Sequence, residues 1–258
     1  MKIKYIDVHA HISEEIFDKD RDKILDECKE KGIFVINCGG TLESNRKSLK
    51  LLKYTNVNLN LGIYPIQASE MSDKEFFEEL KFIEENKNKI VGIGEVGLDF
   101  YWVKDEEKRL LEIERFKEIV WLANKLRLPL NVHSRNAEKE TISILSKMAF
   151  VPVILHAFGG KWKLAKEGAA EGFYFSIPPN ILINKARQKL VKELPIERLL
   201  TETDSPYLGP TKEKNTPLNI PLVIQKISEI KKMSVEEVRK QILKNAGDIF
   251  NLKLQKDA

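Results

Sequence analysis

The chain holds four histidines, His9, His11, His133 and His156. Each stands at the end of a short apolar run of strand type. His9 and His11 are two apart, so on an extended segment both point to one face. Glu95 and Asp204 end runs in the same way, within Gly92-Ile93-Gly94-Glu95-Val96-Gly97 and Thr201-Glu202-Thr203-Asp204-Ser205-Pro206. Imidazoles and carboxylates together form a mixed N/O donor set. It suits Zn, Mn, Fe, Co or Ni and tolerates Mg on its carboxylate side. A bound divalent ion lowers the pKa of water towards neutral and makes it a nucleophile. A lone His-x-His pair is more often chance than chemistry. All four imidazoles at strand ends, with none elsewhere in the chain, point to a metal centre. The glycines beside Glu95 leave room for close approach of a ligand or a neighbouring strand.

Convergence of these groups requires a particular scaffold. Strand-type runs are predicted at Ile3–His9, Ile33–Cys38, Val57–Ile63, Ile90–Gly94, Pro129–His133, Val151–His156, Gly172–Ile177 and Leu199–Thr203. Helix-period segments lie between them, most clearly over Glu106–Leu126, where Leu110, Ile113, Phe116, Val120, Ala123 and Leu126 recur at three- and four-residue steps. Alternating strands and helices imply a parallel sheet. Eight such units predict a closed (β/α)₈ TIM barrel, whose strand C-termini form one rim. Two further helices are predicted after the eighth strand, over Pro217–Lys231 and Ser234–Leu243, covering the barrel's outside and end.

Composition is consistent with this. The chain has 258 residues, 42% hydrophobic and 32% charged, enough for a sizeable core. No linker or low-complexity stretch divides it, so one domain is expected over 1–258. The net charge of +4 is too small to indicate nucleic acid by itself, and it tolerates a phosphate-bearing substrate. Cys28 and Cys38 are expected as reduced thiols, one in a helix and one in a strand. No apolar run has signal-peptide or membrane-spanning length. The expected compartment is therefore cytoplasmic, with no membrane association and no obligate protein partner.

The motifs resemble those of the TatD family of metal-dependent deoxyribonucleases, barrels of the amidohydrolase superfamily. The matching stretches are Asp7-Val8-His9-Ala10-His11, Gly92-Ile93-Gly94-Glu95-Val96-Gly97-Leu98-Asp99, Leu130-Asn131-Val132-His133-Ser134-Arg135, Leu155-His156-Ala157-Phe158-Gly159-Gly160 and Glu202-Thr203-Asp204-Ser205-Pro206-Tyr207-Leu208. The tail Asn245-Ala246-Gly247-Asp248-Ile249-Phe250 also fits. The resemblance implies two divalent ions, of Mg, Mn or Zn. His9, His11 and Asp204 would hold one, His133 and His156 the other, and Glu95 would bridge them. It also implies DNA as substrate, as single strands or ends. The chain departs from the family at Tyr64, where a histidine is usual, at Ala157 in place of cysteine, and at Pro178-Pro179-Asn180 after the seventh strand. These departures concern substrate choice, which strand-end loops set in barrels.

Within this reading Asp204 is the expected general base, with Glu95 as its partner at the ions. Arg135 would bind phosphoryl oxygens bidentately, or else cap a surface helix. Lys161 is a weaker phosphate ligand or a solvated lysine. Tyr64 would hydrogen-bond substrate or pack. Glu202, on the same strand face as Asp204, would serve as a substrate-facing group, an outer carboxylate or a further metal ligand. Tyr101 and Trp102 would stack on a base or pack the loop. The alternative activity on the same site is hydrolysis of amides or esters, such as deacylation of aminoacyl-tRNA. A third reading, a non-catalytic metal-binding scaffold, has no need of an open rim.

Overall fold

In the computed structural model, which describes residues 2–252, eight parallel strands form one sheet in sequential order, β1 to β8. The strands are β1 Tyr5–Ala10, β2 Ile33–Cys38, β3 Val57–Leu61, β4 Gly92–Asp99, β5 Leu130–Arg135, β6 Val153–Leu155, β7 Tyr174–Ile177 and β8 Leu199–Thr201. Their residues are almost all buried. That is why they read as near-continuous apolar runs and not as alternating ones. Among the described residues, no β8–β1 ladder continues the order. The seam is drawn together by Thr201 Oγ1 donating to the Ile6 carbonyl at 2.6 Å and Asp204 N donating to the His9 carbonyl at 2.8 Å. The barrel is thereby nearly closed.

The helices between strands are α1 Arg21–Lys31, α2 Leu42–Leu49, α3 Pro65–Glu70, α4 Asp73–Glu85, α5 Glu106–Leu126, α6 Glu138–Met148, α7 Trp162–Ala170 and α8 Lys185–Glu193. After β8 come α9 Ile220–Lys231 and α10 Val235–Phe250. Their boundaries follow local chemistry. Asp105 caps α5 by accepting from Lys108 N at 2.9 Å, and Arg127 ends it in the left-handed region at φ 56°. Ser72 with Glu75, and Ser234 with Glu237, form reciprocal capping boxes on α4 and α10. Each such cap contributes about 1 kcal/mol.

Several predicted boundaries move. Strand four does not stop at Gly94; it continues to Asp99, because Val96 to Asp99 pair with Val132 to Arg135 of β5. Glu95 therefore lies inside a strand. Strands six and eight are shorter than predicted, so His156, Glu202 and Thr203 lie in the loops that follow them. The last helix runs to Phe250, seven residues past the predicted Leu243, since Ile249 and Phe250 are buried. Asn245 of α10 donates to the carbonyls of Ile196 and Leu199 at the entrance to β8, at 2.9 and 2.7 Å. Cys28 and Cys38 are free, buried thiols in α1 and β2. No helix among the described residues is long and apolar enough to cross a membrane. The expected domain over 1–258 includes residue 1 and residues 253–258, which lie outside the described ones.

Candidate metal centre

The six groups singled out from the sequence meet at the C-terminal rim. His9 Nε2 and His11 Nε2 stand 3.1 Å apart. Each lies 3.3–3.5 Å from Glu95 Oε2 and Asp204 Oδ1. On the other side of Glu95, Oε1 lies 2.9 Å from His133 Nδ1 and 3.2 Å from His156 Nε2. Glu95 thus turns one oxygen to each imidazole pair. His9, Glu95 and His156, and likewise His9, His11 and Asp204, offer ligand atoms within 4.8 Å of one another.

The outer nitrogens explain why the inner ones point inwards. His9 Nδ1 faces Asn131 Oδ1 at 2.8 Å, and Asn131 is itself held by donating to the Val8 carbonyl. His11 Nδ1 faces the Cys38 carbonyl at 3.0 Å. An Nδ1–H on each ring leaves the Nε2 lone pairs converging. Lone pairs from two imidazoles and two carboxylates at this separation repel one another unless a cation or protons lie between them. The donor set therefore fits a divalent ion.

The imidazoles and carboxylates shift one another strongly. Burial disfavours the imidazolium of His11, but hydrogen bonds to Asp204 and Glu95 outweigh it and raise its pKa well above the usual value. His156 is raised likewise, by Glu202 and Glu95 against its burial. Burial alone would raise Glu95, yet His156, His11 and His133 hold it well below the carboxylate range. Asp204 is lowered in the same way.

Backbone irregularities place the ligands. The β1–β2 register shifts between Asp7 and Ala10, and the β4–β5 register between Ile93 and Val96. Such bulges re-aim side chains, here His9 and Glu95. The space beside Glu95 belongs to a neighbouring strand, since a Cβ on Gly94 would meet Asn131 Cβ at 2.6 Å. Asp204 sits at φ 54°, left-handed backbone that an aspartate tolerates better than most residues. Asp7 holds this turn: Oδ1 accepts from Thr203 N at 2.9 Å, and Oδ2 accepts from the Thr203 hydroxyl. Burial pushes the Asp7 carboxyl up to about 7 despite these bonds.

Sequence reasoning gave Asp99 no role. It is fully buried, and Oδ2 faces His133 Nε2 at 3.1 Å, Arg135 Nη2 at 2.6 Å and the Tyr64 hydroxyl at 3.1 Å. Oδ1 accepts from the backbone N–H groups of Tyr101 and Trp102, each at 3.0 Å. The signal was available: Asp99 ends a strand at the same rim, four residues after Glu95. Arg135 is not a helix cap. Its Nε and Nη2 donate to Asp99, and Nη2 also donates to the Tyr64 hydroxyl at 3.4 Å, which leaves Nη1 for a ligand. Arg135, Tyr64 and Trp102 line the central cleft of about 1000 Å³, as do His11, Glu95 and Asp204. Tyr101 packs edge-on against Trp102 and does not line it.

Of the three places expected for Glu202, substrate-facing, outer carboxylate or metal ligand, it takes the outer one and is fully buried. Its Oε2 accepts from Ser176 Oγ at 2.5 Å and lies 3.3 Å from His156 Nδ1, so it stands behind that imidazole. The reason is the short β8: beyond Thr201 the chain leaves the strand, and side chains two apart no longer share a face. Lys161 is exposed at the start of α7 and lies outside the cleft lining.

The model of TatD-related DNases matches residues 6–251. The chain belongs to this family. It is 37% identical to an uncharacterized metal-dependent hydrolase of Methanocaldococcus jannaschii, over 98% of this chain and 99% of that one. It is 36% identical to the deoxyribonuclease TATDN3 of Homo sapiens, over 95% and 94%. Among solved structures, the TatD homologue YJJV of Escherichia coli superposes with a TM-score of 0.88 at 24% identity, covering 98% of this chain and all of that one. This TatD-family chain is a metal-dependent hydrolase, and its dependence is on divalent ions.

Proposed function

We propose that this TatD-family hydrolase is a deoxyribonuclease that cleaves phosphodiester bonds at the ends of DNA, acting as one domain with two divalent ions. In this reading His9, His11 and Asp204 hold one ion, His133 and His156 hold the other, and Glu95 bridges them. The carrying observation is Glu95, with one oxygen towards each imidazole pair. The mixed N/O donors suit Zn or Mn and admit Mg. When bound, the ions supply Lewis acidity that favours ionisation of water and offsets charge on phosphoryl oxygens.

The chain's own groups supply the rest. Asp204 lines the cleft, with Oδ1 3.4 Å from His11 Nε2, so its carboxylate can accept the proton of the attacking water. Arg135, fixed by Asp99 and Tyr64, offers its Nη1 to a non-bridging oxygen. Tyr64 brings a hydroxyl to the same side, with its ring 5.1 Å from that of His133. Trp102 is 59% exposed on the cleft wall, and an unpaired base can stack on it. That favours single strands or frayed ends.

The test is hydrolysis of 3′- and 5′-labelled single-stranded oligonucleotides by metal-stripped protein with Mg, Mn or Zn restored separately. Stepwise shortening that needs metal is expected, and it should be abolished in Asp204→Asn while the fold is kept. Unchanged activity in Asp204→Asn would remove it as the base. Turnover of a small ester without turnover of any oligonucleotide would overturn the nuclease reading.

A further inference from the structure

The rim of the barrel is electrically divided. The loops after β6 and β7, with the first turns of α7 and α8, span residues 156–165 and 178–187. They hold Lys161, Lys163, Lys185 and Arg187 and no aspartate or glutamate. The loop after β1, residues 11–20, holds Glu14, Glu15, Asp18 and Asp20 with Lys19; Asp18 pairs with Arg21 at 2.5 Å and Asp20 with Lys214 at 2.6 Å, so Glu14 and Glu15 are the carboxylates this loop turns to the cleft. Where the cleft reaches that side, it is lined by Glu14, Glu15 and Glu43, with Lys47 as the cation among them. Lys47 is already bound to Glu15 and Glu43, at 2.8 and 2.7 Å.

One carboxylate approaches the basic side, since a Cβ on Gly159 would lie 3.3 Å from Glu138 Oε1 of α6. Lys161, Lys163 and Lys185 are exposed, and none is within ion-pair distance of a carboxylate among the described residues. Lys166 and Lys189, by contrast, share Glu193. Beneath them Arg187 is only 8% exposed. Its Nη2 donates to the Ala157 carbonyl at 3.3 Å, while Nε and Nη1 have no partner. Its charge is set against the carboxylates of Glu202 and Asp204, so the cations offered outwards in this sector are the three lysines. The N-termini of α7 and α8 open onto the same sector, and their dipoles add to that charge. Ala157 directly follows His156, so this sector begins at the metal centre.

We propose that the polynucleotide strand runs outwards from the metal centre across the β6–β7 sector, its phosphates received by Lys161, Lys163 and Lys185, and ends at the acidic β1–β2 wall. This rests on the nuclease reading above and extends it to the path of the strand. With Glu14, Glu15 and Glu43 set against Lys47, the wall keeps an excess of negative charge that disfavours phosphates, so only a terminal residue is accommodated on that side of the scissile bond.

The test uses the metal-loaded full chain and a fluorescent single-stranded 20-mer with phosphorothioate linkages, read by anisotropy over a salt series. The variant is Lys161→Glu/Lys163→Glu/Lys185→Glu. Acidic residues at helix N-termini favour the helix, so it should fold, which an unchanged melting temperature checks. Binding is expected to weaken about tenfold or more, and the slope of log Kd against log salt to fall by roughly 2, for three lost phosphate contacts. Wild-type affinity and slope in this variant would overturn the path, leaving the nuclease reading intact. That reading fails separately if the wild-type protein, turning over a small ester, cleaves no unmodified oligonucleotide.

Discussion

Asp99→Asn isolates the group that joins the metal centre to the substrate wall. The wild-type carboxylate accepts from His133, Arg135 and Tyr64 on one oxygen and from two backbone N–H groups on the other. An asparagine has the same shape but only one oxygen. If that oxygen keeps the backbone donors, its NH₂ is turned against the N–H groups of His133 and Arg135. If it flips, the backbone donors are orphaned. Water can reach Arg135, whose side chain is 40% exposed, so the loss there is partly compensated. His133 is 12% exposed, and its Nε2 faces the fully buried Asp99, so it has much less recourse. Losing one charge-assisted hydrogen bond there costs about 2 kcal/mol, or roughly 30-fold in affinity for the ion that His133 holds. This falls inside the roughly 10–100-fold range of outer-shell substitutions at metal sites. Titration with a metallochromic chelator should show one of the two ions weakened by that amount. KM for an oligonucleotide should rise as Arg135 is released. Burial opposes ionisation of Asp99, but His133 and Arg135 hold its carboxyl well below the usual range. The ratio of wild type to variant should therefore be flat from about pH 5 to 9. Metal affinity and KM both within about twofold of wild type would refute a positioning role for Asp99.

Three further expectations come from buried groups. Burial pushes Glu112, behind Asp99, up to about 7, and its Oε1 has no partner. Its folded pKa exceeds the unfolded value, so the folded state holds the extra proton, and stability falls as pH rises from about 4.5 to about 7. Glu112→Gln should remove up to about 3 kcal/mol of that decline, so urea midpoints of variant and wild type should converge near pH 4 and separate at pH 8. Equal midpoints at pH 8 would contradict it. Glu202→Gln should weaken metal binding roughly 10–100-fold through His156, checked by calorimetric titration with Mn or Zn. Phe175→Ala, deep in β7 and edge-on to Phe158 at 5.3 Å, should cost about 3–5 kcal/mol in denaturant unfolding.

Much of this protein was legible in its residue order. Strand–helix alternation implies a parallel barrel because parallel strands need crossover helices. Helix limits at Glu106 and Leu126 were readable because capping and apolar periodicity are local. The four histidines and two carboxylates were identifiable because a barrel's strand ends share one rim. Strand ends were less legible: whether Glu95 ends β4 or lies within it depends on hydrogen bonds to β5.

What the sequence determined by itself was the set of groups able to hold metal, since residue type and strand-end position are properties of the chain. Tertiary structure alone decided which atoms face one another. Asp99 became the hub of His133, Arg135 and Tyr64, and Glu202 withdrew behind His156. Arg187 was set against Glu202 and Asp204 beneath a basic sector that lies across the rim from an acidic one. Each of these outcomes depends on contacts between residues far apart in the chain. Those contacts are fixed by register, bulges and packing, which local spacing does not encode.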